Sequence, residues 1–159
     1  IEAARLELRL EELDLAAEAR AAVSYLGAPS ATIREEASEP VPVMADRQRI
    51  GQVFANLLTN AIKYSPEGEG IAVRVWADET EARAAVIDRG SGIPADAVPR
   101  LFERFYRAAE TTESVQGLGL GLYISQSIAR AHRGRIEVES ELGRGSTFTL
   151  VLPLAAGRS

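Results

Sequence analysis

The sequence predicts an α+β fold, a two-layer α/β sandwich in which about three helices cover one face of a mixed, mostly antiparallel sheet of about five strands. Three observations support this prediction. Alternating apolar residues mark strands at 71–76, 82–88, 135–139 and 147–152. Short turns rich in Gly or Asp join two pairs of these strands, as hairpins require. The segment around residues 46–64 instead shows the 3.6-residue period of a helix with one apolar face.

Composition limits the classes of function. The 159 residues suffice for one domain with a sizeable core, and 46% hydrophobic with 26% charged residues is ordinary for a globular protein. The net charge of -5 argues against a nucleic-acid surface. The absence of cysteine excludes disulfides and thiolate metal sites. No apolar run approaches the ~18 residues of a membrane span, and no signal peptide is visible. Because the chain starts at Ile1 without Met, we expect a piece of a longer protein with unseen upstream segments.

The first third of the chain contains one clear helix. Residues 1–14 are charged with alternating leucines, which fits either the end of an incoming helix or a short strand. Asp14 is a suitable N-cap for a helix over Leu15–Leu26, and Gly27 ends it. A strand is predicted at 31–36 and an extended, proline-containing segment at 39–44.

The later elements follow in order. Asp46 caps the central helix, which ends before residues 65–70, and a turn at 78–80 joins the next two strands. Pro94 opens a short helix toward Phe102, and residues 106–116 are polar without periodicity. A helix at 118–131 precedes the last two strands, and residues 155–159 form a tail.

The central helix carries an unusual polar stripe. Asn56, Asn60 and Lys63 line up beside its apolar arc, and Tyr64 lies at the border. Asn is a poor helix former, so two of them one turn apart need a reason. The stripe is either a solvated face or a row of amide oxygens and one ammonium that binds a metal and a polyanion. Lys63 is the only lysine in the chain, and a compact positive charge suits phosphate.

Two glycine-rich segments are further candidates. In Asp88-Arg-Gly90-Ser-Gly92-Ile93, the carboxylate at a strand end can accept a hydrogen bond from an exocyclic amine such as that of adenine. The alternative is an ordinary Asp-Gly turn. The segment Gly117-Leu118-Gly119-Leu120-Gly121 opens a helix, where exposed backbone amides favour phosphate. It matches neither a P-loop nor a dinucleotide-binding fingerprint.

Together these motifs resemble the catalytic ATP-binding domain of bacterial sensor histidine kinases, in the superfamily of gyrase, Hsp90 and MutL ATPases. Residues 56–64 match its N box and 88–93 its first glycine box. The F box is matched by 102–107, the second glycine box by 117–121 and the last by 143–148. The resemblance covers residues 10–153 with all boxes in order, and implies a Bergerat-type ATP-binding fold.

The resemblance implies a role for each matching residue. Asn60 is expected to bind Mg²⁺, and Asn56, Lys63 and Arg107 to act in catalysis at the metal and phosphates. Asp88 is expected to bind the adenine amino group, with Thr147 nearby. Residues 107–118 are expected to form a flexible ATP lid. The full set expected to contact nucleotide is Asn56, Asn60, Lys63, Tyr64, Asp88, Gly90, Gly92, Ile93, Arg107, Gly117, Leu118, Gly119, Leu120, Gly121 and Thr147.

Two departures from the family pattern matter. The chain has His132-Arg133-Gly134 where the family often has His-Gly-Gly, and we interpret His132 as structural. The family's phosphoacceptor histidine, which lies in an upstream dimerisation domain, has no match here, so this chain alone is expected to bind ATP without phosphorylating itself. Phe102 and Phe105 are interpreted as packing residues.

The resemblance also implies an organisation and partners. Residues 1–14 would be the end of the connection to the dimerisation domain, 15–154 the catalytic domain and 155–159 a tail. The partners would be the histidine-bearing dimerisation domain of the same protein and a downstream response regulator. We expect no nucleic-acid or membrane contact, a monomer, and a cytoplasmic location within a membrane-anchored protein. Alternatives are an anti-sigma-factor-type serine kinase and a degenerate nucleotide-binding module.

Overall fold

The computed structural model describes residues 7–26, 32–37, 39–65, 70–103 and 121–155. Its helices are α1 (Leu15–Leu26), α2 (Arg47–Tyr64) and α3 (Gly121–Ala131), with a short 3-10 helix at Val98–Arg100. Its strands are β1 (Glu11–Asp14), β2 (Thr32–Glu36), β3 (Pro42–Ala45), β4 (Gly70–Ala77), β5 (Glu81–Asp88), β6 (Arg135–Glu141) and β7 (Gly145–Pro153). The predicted α+β class is confirmed.

The main sheet has five strands in the order β2-β4-β5-β7-β6. Strand β2 runs parallel to β4, and the other neighbours are antiparallel. The predicted turn between β4 and β5 is present, because the Asp78 backbone N–H donates to the Glu81 carbonyl at 3.0 Å. The Asp78 carboxylate also accepts from the N–H groups of Thr80 and Glu81. The sheet is therefore mixed and mostly antiparallel, as the sequence predicted.

The core lies between this sheet and the three helices. Helix α2 packs on β5, α1 on β4 and α3 on β6, so one face of the sheet is covered. Alternate residues of the strands point to this face, as the two-residue period of a strand requires. Their buried members are Ile71, Val73 and Val75 of β4, Ala82, Ala84 and Val86 of β5, and Phe148, Leu150 and Leu152 of β7. The layer arrangement explains why α2 shows one apolar arc.

The N-terminal part of the chain forms a second, two-stranded sheet. Strand β1 pairs antiparallel with β3, and Leu13 is buried in the core. The Asp14 carboxylate accepts hydrogen bonds from Ala16 N–H at 3.0 Å and Val41 N–H at 2.9 Å. Asp14 therefore starts α1, as predicted, and also fixes the strand that follows β2. Of the two possibilities considered for residues 1–14, the structure has a strand at 11–14. The predicted division of the chain at residue 15 stays a prediction.

Other predicted elements differ in extent. The short helix expected after Pro94 is a turn followed by the 3-10 helix at Val98–Arg100. Helix α3 is described from Gly121, so the predicted start at residue 118 lies outside the described residues. Residues 106–116 and the last four of the predicted tail also lie outside them. None of the helices in the described ranges has both the length and the apolar composition of a membrane-spanning helix.

Candidate functional site

The polar stripe predicted on α2 is present. Phe54 and Leu57 are buried, whereas Asn56 and Asn60 are half-buried at the border of that face and Lys63 is exposed. The helix starts where predicted, because the Asp46 side chain accepts from Arg49 N–H at 3.1 Å. Tyr64 ends the helix, but its side chain lies outside what the structure describes. The helix thus holds two amides one turn apart at the edge of the core.

Asn56 connects α2 to the start of α3. Its Nδ2 donates to the Gly121 carbonyl at 3.2 Å and to the Ser125 hydroxyl at 3.0 Å. Ser125 is fully buried. Sequence analysis did not single out Ser125. The only available signal was a serine one turn after Gly121, close to the apolar face of the predicted helix.

Asp88 ends β5 and points to the helical side of the sheet, as Ala84 and Val86 of the same strand do. The residue is 6% exposed, and its carboxylate accepts from Gly90 N–H at 2.8 Å. Burial raises the pKa of Asp88, while hydrogen bonds from the N–H groups of Gly90 and Ser146 oppose that rise. The carboxylate is thus a buried acceptor under the layer that contains α2.

A row of polar residues crosses the end of the sheet beside Asp88. Asp88 lies opposite Ser146 of β7, which lies opposite Ser140 of β6. The two serine hydroxyls are 2.8 Å apart. The Ser140 hydroxyl accepts from Ile93 N–H at 2.8 Å and donates to the Gly145 carbonyl at 3.1 Å. These bonds hold the loop that follows Asp88 against the β6–β7 turn.

The register corrects one predicted neighbour of Asp88. Thr147 lies opposite Ile87, not Asp88. Because successive strand residues point to opposite faces, Ser146 and Phe148 face the helices and Thr147 faces away from them. Ser146 therefore lies directly beside Asp88, and the predicted contact of Thr147 with nucleotide stays a prediction. The motif shows both hydroxyl residues in succession, and only the register separates them.

Two glycines at this end of the sheet are required by close packing. Gly92 has φ +78°, and a Cβ there would lie 2.1 Å from the Glu141 carbonyl oxygen. Gly145 has φ +110°, and a Cβ there would lie 2.1 Å from the Asp88 carbonyl oxygen. Both contacts are with protein backbone, so they explain the glycines without a ligand. The predicted contact of Gly92 with nucleotide stays a prediction.

The donors present fit a metal that arrives with a polyanion. Within the described ranges, no group of three or more His, Asp or Glu residues could hold a metal ion. The stripe on α2 instead offers neutral amides, Asn56 and Asn60, next to the positive charge of Lys63. Mg²⁺ commonly takes one or two protein oxygens and completes its shell with water and phosphates. These amides could therefore hold Mg²⁺ that is bound to a phosphate chain.

Several predicted residues cannot be placed. Arg107, Gly117, Leu118, Gly119, Leu120 and Phe105 lie outside the described residues. Gly121 is described and lies at the first position of α3, in contact with the Asn56 side chain. Phe102 is half-buried and packs against the core, as interpreted from the sequence. Gly90 is buried next to Asp88.

His132 has a structural environment. Its Nδ1 is 2.8 Å from the Ile128 carbonyl, and its Nε2 accepts from Asp46 N–H at 3.1 Å. A carbonyl can only accept, so the hydrogen of the neutral ring lies on Nδ1. Both ring nitrogens are engaged with backbone groups, which leaves no atom of the imidazole for catalysis.

A family model matches this chain. Residues 45–156 match the model described as histidine kinase-, DNA gyrase B- and HSP90-like ATPase. The chain is 41% identical over 115 residues to the phosphate regulon sensor protein PhoR of Pseudomonas aeruginosa, covering 72% of this chain and 26% of that protein. It is 41% identical over 109 residues to the sensor protein SrrB of Staphylococcus aureus, covering 68% of this chain and 19% of that protein. The chain thus spans about a quarter or less of these relatives.

Solved structures share the fold. The mycobacterial sensor histidine kinase MprB superposes with a TM-score of 0.80 at 27% identity, covering 92% of this chain and 99% of that one. Full-length ShkA in complex with AMPPNP gives a TM-score of 0.84 at 29% identity, covering 97% of this chain and 33% of that one. The nucleotide-free catalytic domain of histidine kinase ThkA gives 0.78 at 27% identity, covering 93% and 99%.

Proposed function

Because the chain belongs to the family of histidine kinase-, DNA gyrase B- and HSP90-like ATPases, we propose that it donates the γ-phosphoryl group of ATP to a histidine on a separate dimerisation domain. It is the ATP-binding catalytic domain of a sensor histidine kinase. The observation that carries this proposal is the buried carboxylate of Asp88 at the end of β5, beneath the layer whose helix α2 presents Asn56 and Asn60.

The Asp88 end of the site would bind the base. Asp88 is a buried carboxylate with a raised pKa and has no cationic partner among the described residues, so its burial is costly. A ligand that donates a hydrogen bond to it offsets part of that cost. The exocyclic amine of adenine is such a donor. Ser146, directly opposite Asp88, adds its hydroxyl to the same end of the sheet. Together they favour adenine over a base with an acceptor at that position.

The α2 stripe would bind the phosphates. Asn60 would hold Mg²⁺ through its amide oxygen, and Asn56 would line the same region. Bound Mg²⁺ would neutralise phosphate charge, including the negative charge that develops on the leaving ADP as the γ-phosphoryl group is transferred. Lys63, in the last turn of α2, would attract the phosphates as a compact cation. Arg107 would add a second cation, and Tyr64 would flank the nucleotide.

The chain would contribute to the reaction by positioning the nucleotide. The incoming histidine nitrogen forms the N–P bond while the bond from the γ-phosphorus to the β–γ bridging oxygen breaks and ADP leaves. Rigid attachment of Asn56 and Asn60 to one helix fixes the phosphates relative to a base held by Asp88. The segment 107–118 would close over the nucleotide and limit access of water. The phosphorylated histidine would then donate its phosphoryl group to a response regulator.

Nucleotide binding and phosphoryl transfer can be tested separately. Calorimetric titration with ATP and MgCl₂ should show one site per chain, and Asn60→Ala should weaken binding mainly when Mg²⁺ is present. With γ-labelled ATP, label should remain off this chain and appear on an added histidine-bearing dimerisation domain. Absence of ATP binding would support a degenerate module. Acid-stable label on serine of an added substrate would support a serine kinase.

A further inference from the structure

Ser125 of α3 is a buried hydroxyl that contacts a site residue but has no assigned role. We propose that Ser125 is a positioning residue of the nucleotide site, which fixes the side-chain amide of Asn56 so that its oxygen faces the ligand. This inference rests on the proposed function of the Asn56 region. It concerns a contact between two helices, α2 and α3, whose two partners both lie among the described residues.

The Asn56 side chain makes two hydrogen bonds through its amide nitrogen. Nδ2 donates both to Gly121 O at 3.2 Å and to Ser125 Oγ at 3.0 Å. An amide nitrogen carries two hydrogens, so these two acceptors use both of them. Among the residues that the structure describes, both hydrogen bonds of the Asn56 side chain leave from the nitrogen. The oxygen Oδ1 is therefore the amide atom left for a ligand.

The opposite orientation of the amide is unfavourable. Rotation by 180° would place Oδ1 next to the Gly121 carbonyl, and two acceptors repel each other. Gly121 thus selects the orientation, but its carbonyl is reached on the more exposed side of the amide. Ser125 is 0% exposed and its bond to the half-buried Asn56 is the less exposed of the two, so water competes with it less. Ser125 therefore adds a second hydrogen bond that must break before the amide can rotate out of the orientation that Gly121 selects.

The orientation matters for the chemistry of the ligand. Mg²⁺ and its bound waters interact with amide oxygen, whereas an amide NH₂ group would repel the metal. An amide free to rotate would present oxygen for only part of the time. Positioning by Ser125 should consequently affect the affinity for ATP with Mg²⁺ more than the affinity for ATP without metal.

Ser125→Ala removes the hydroxyl, and Ser127→Ala is its matched control. Ser127 lies on the same helix, but its hydroxyl donates to the Tyr123 carbonyl at 3.0 Å and does not contact Asn56. Loss of one shielded hydrogen bond should raise the dissociation constant for Mg²⁺–ATP about three- to tenfold in Ser125→Ala. The dissociation constant of Ser125→Ala for ATP measured with EDTA should change less than about twofold. Ser127→Ala should change neither dissociation constant.

Two further variants separate positioning from folding. Ser125→Thr keeps the hydroxyl and adds a methyl group at a fully buried position, so it should lower the melting temperature yet keep the Mg²⁺–ATP affinity of the original. In an Asn56→Ala background, Ser125→Ala should have little additional effect on binding. An equal effect of Ser125→Ala with and without metal, or full additivity with Asn56→Ala, would overturn the proposal.

A measurement without nucleotide keeps this inference distinct from the proposed function. In ¹⁵N-labelled protein, the side-chain NH₂ protons of Asn56 should resonate downfield and exchange slowly with water. Ser125→Ala should move one of them toward the position of an exposed amide. Unchanged NH₂ resonances would show that the bond does not orient Asn56. If the resonances respond but ATP does not bind, the proposed function fails and the contact stands.

Discussion

At the scale of single residues, Asp88 combines a stability cost with a binding role. Burial raises its pKa, which means that the folded protein disfavours the ionised carboxylate. Two backbone N–H groups offset only part of this cost. A site that keeps such a carboxylate is built to accept one more hydrogen bond, and the proposed donor is the amine of adenine.

Asp88→Asn should separate these two effects. At pH 7 the variant should have an equal or higher free energy of unfolding, because no charge is buried. Its affinity for ATP should fall about 10- to 100-fold, because the amide NH₂ would meet the adenine NH₂. GTP has a carbonyl at that position, so its affinity should fall less. Denaturant unfolding and calorimetry measure both, and a parallel loss of stability and affinity would contradict this account.

The pKa of Asp46 is shifted in the opposite direction to that of Asp88, because hydrogen bonds to its carboxylate outweigh burial. The hydrogen bond from Arg9 N–H lowers the pKa of Asp46, burial opposes this, and the bond from Arg49 N–H lowers it further. Its carboxylate therefore contributes stability that is fully present above the ordinary aspartate pKa of about 4 and is lost as pH falls through the lowered value. The residue links the incoming chain at Arg9 to the start of α2.

Asp46→Asn tests this linkage. Asn still caps α2, but one side-chain oxygen becomes an NH₂ group that cannot accept from Arg9 N–H. The variant should be less stable than the original by about 1 kcal/mol at pH 7. The difference should shrink between about pH 4 and the onset of acid unfolding. Urea unfolding at pH 7, 5 and 3.5 measures it, and a difference independent of pH would exclude the carboxylate as its source.

Which residues the sequence predicted for the site depended on the kind of signal. Asn56 and Asn60 were predicted because amides are unfavourable within a helix, and Asp88 because it is an acid at a strand end before a glycine turn; their contact with nucleotide stays a prediction. Ser125 and Ser140 were missed, because serine is tolerated in most settings and gives no such signal. Thr147 was predicted near Asp88 and Ser146 was not, since only strand register decides which hydroxyl lies directly beside Asp88.

At the scale of elements, the loop after β5 and the β6–β7 turn depend on each other. The Gly143 N–H donates to the Ser91 carbonyl at 2.8 Å, and Gly92 packs directly on the Glu141 carbonyl. The first and last glycine segments are thus two halves of one packed structure around Asp88. Sequence analysis expected Thr147 of the last segment near Asp88 of the first, but it did not predict this backbone packing, because a contact between distant segments leaves no local pattern.

Gly92→Ala and Gly143→Ala form a matched pair. Both residues have positive φ, +78° and +82°, but a Cβ at 143 has nothing within 4 Å whereas one at 92 would clash with Glu141 O. Gly143→Ala should cost about 1 kcal/mol from backbone conformation alone. Gly92→Ala should cost about 2 kcal/mol or more and also weaken ATP binding, because the loop must move. Equal losses in both variants would show that the contact with Glu141 is unimportant.

The element boundaries show what local chemistry determines. Helix α1 was predicted with its observed bounds, because Asp14 caps it and Gly27 follows it. Strands β1 and β3 were harder to predict, since each has only four residues and β3 begins with a proline. Their pairing depends on Leu13 and Val43 reaching the common core, which is a property of the tertiary structure.

At the scale of the whole molecule, α3 connects two regions. Near its first turn, Ser125 and Gly121 bind Asn56 of the proposed nucleotide site. At its other end, His132 accepts a hydrogen bond from Asp46 N–H, next to the point where Arg9 meets Asp46. The layered fold was predictable from apolar periods, but this pair of polar links between helices was not, because their partners are far apart in sequence.

His132→Ala should weaken the whole fold without altering the site. It would leave the buried Asp46 N–H without its acceptor and open a small cavity, at a cost of about 2–4 kcal/mol. Since His132 lies at the end of α3 away from Asn56, the dissociation constant for ATP should change less than about twofold once the variant is folded. Chemical unfolding at 25 °C and calorimetry below the melting transition measure the two quantities.

Arg133, next to His132, supplies a control whose substitution should change stability in the opposite direction. Arg133 is exposed with φ +66°, and Gly134 N–H bonds to the Ala129 carbonyl at 2.8 Å, so Arg133 occupies the left-handed position that ends a helix. Arg133→Gly should relieve this conformation and raise stability by up to about 1 kcal/mol. If His132→Ala reduced ATP affinity while Arg133→Gly behaved as expected, the histidine would have to act on the site through α3, and its purely structural role would be wrong.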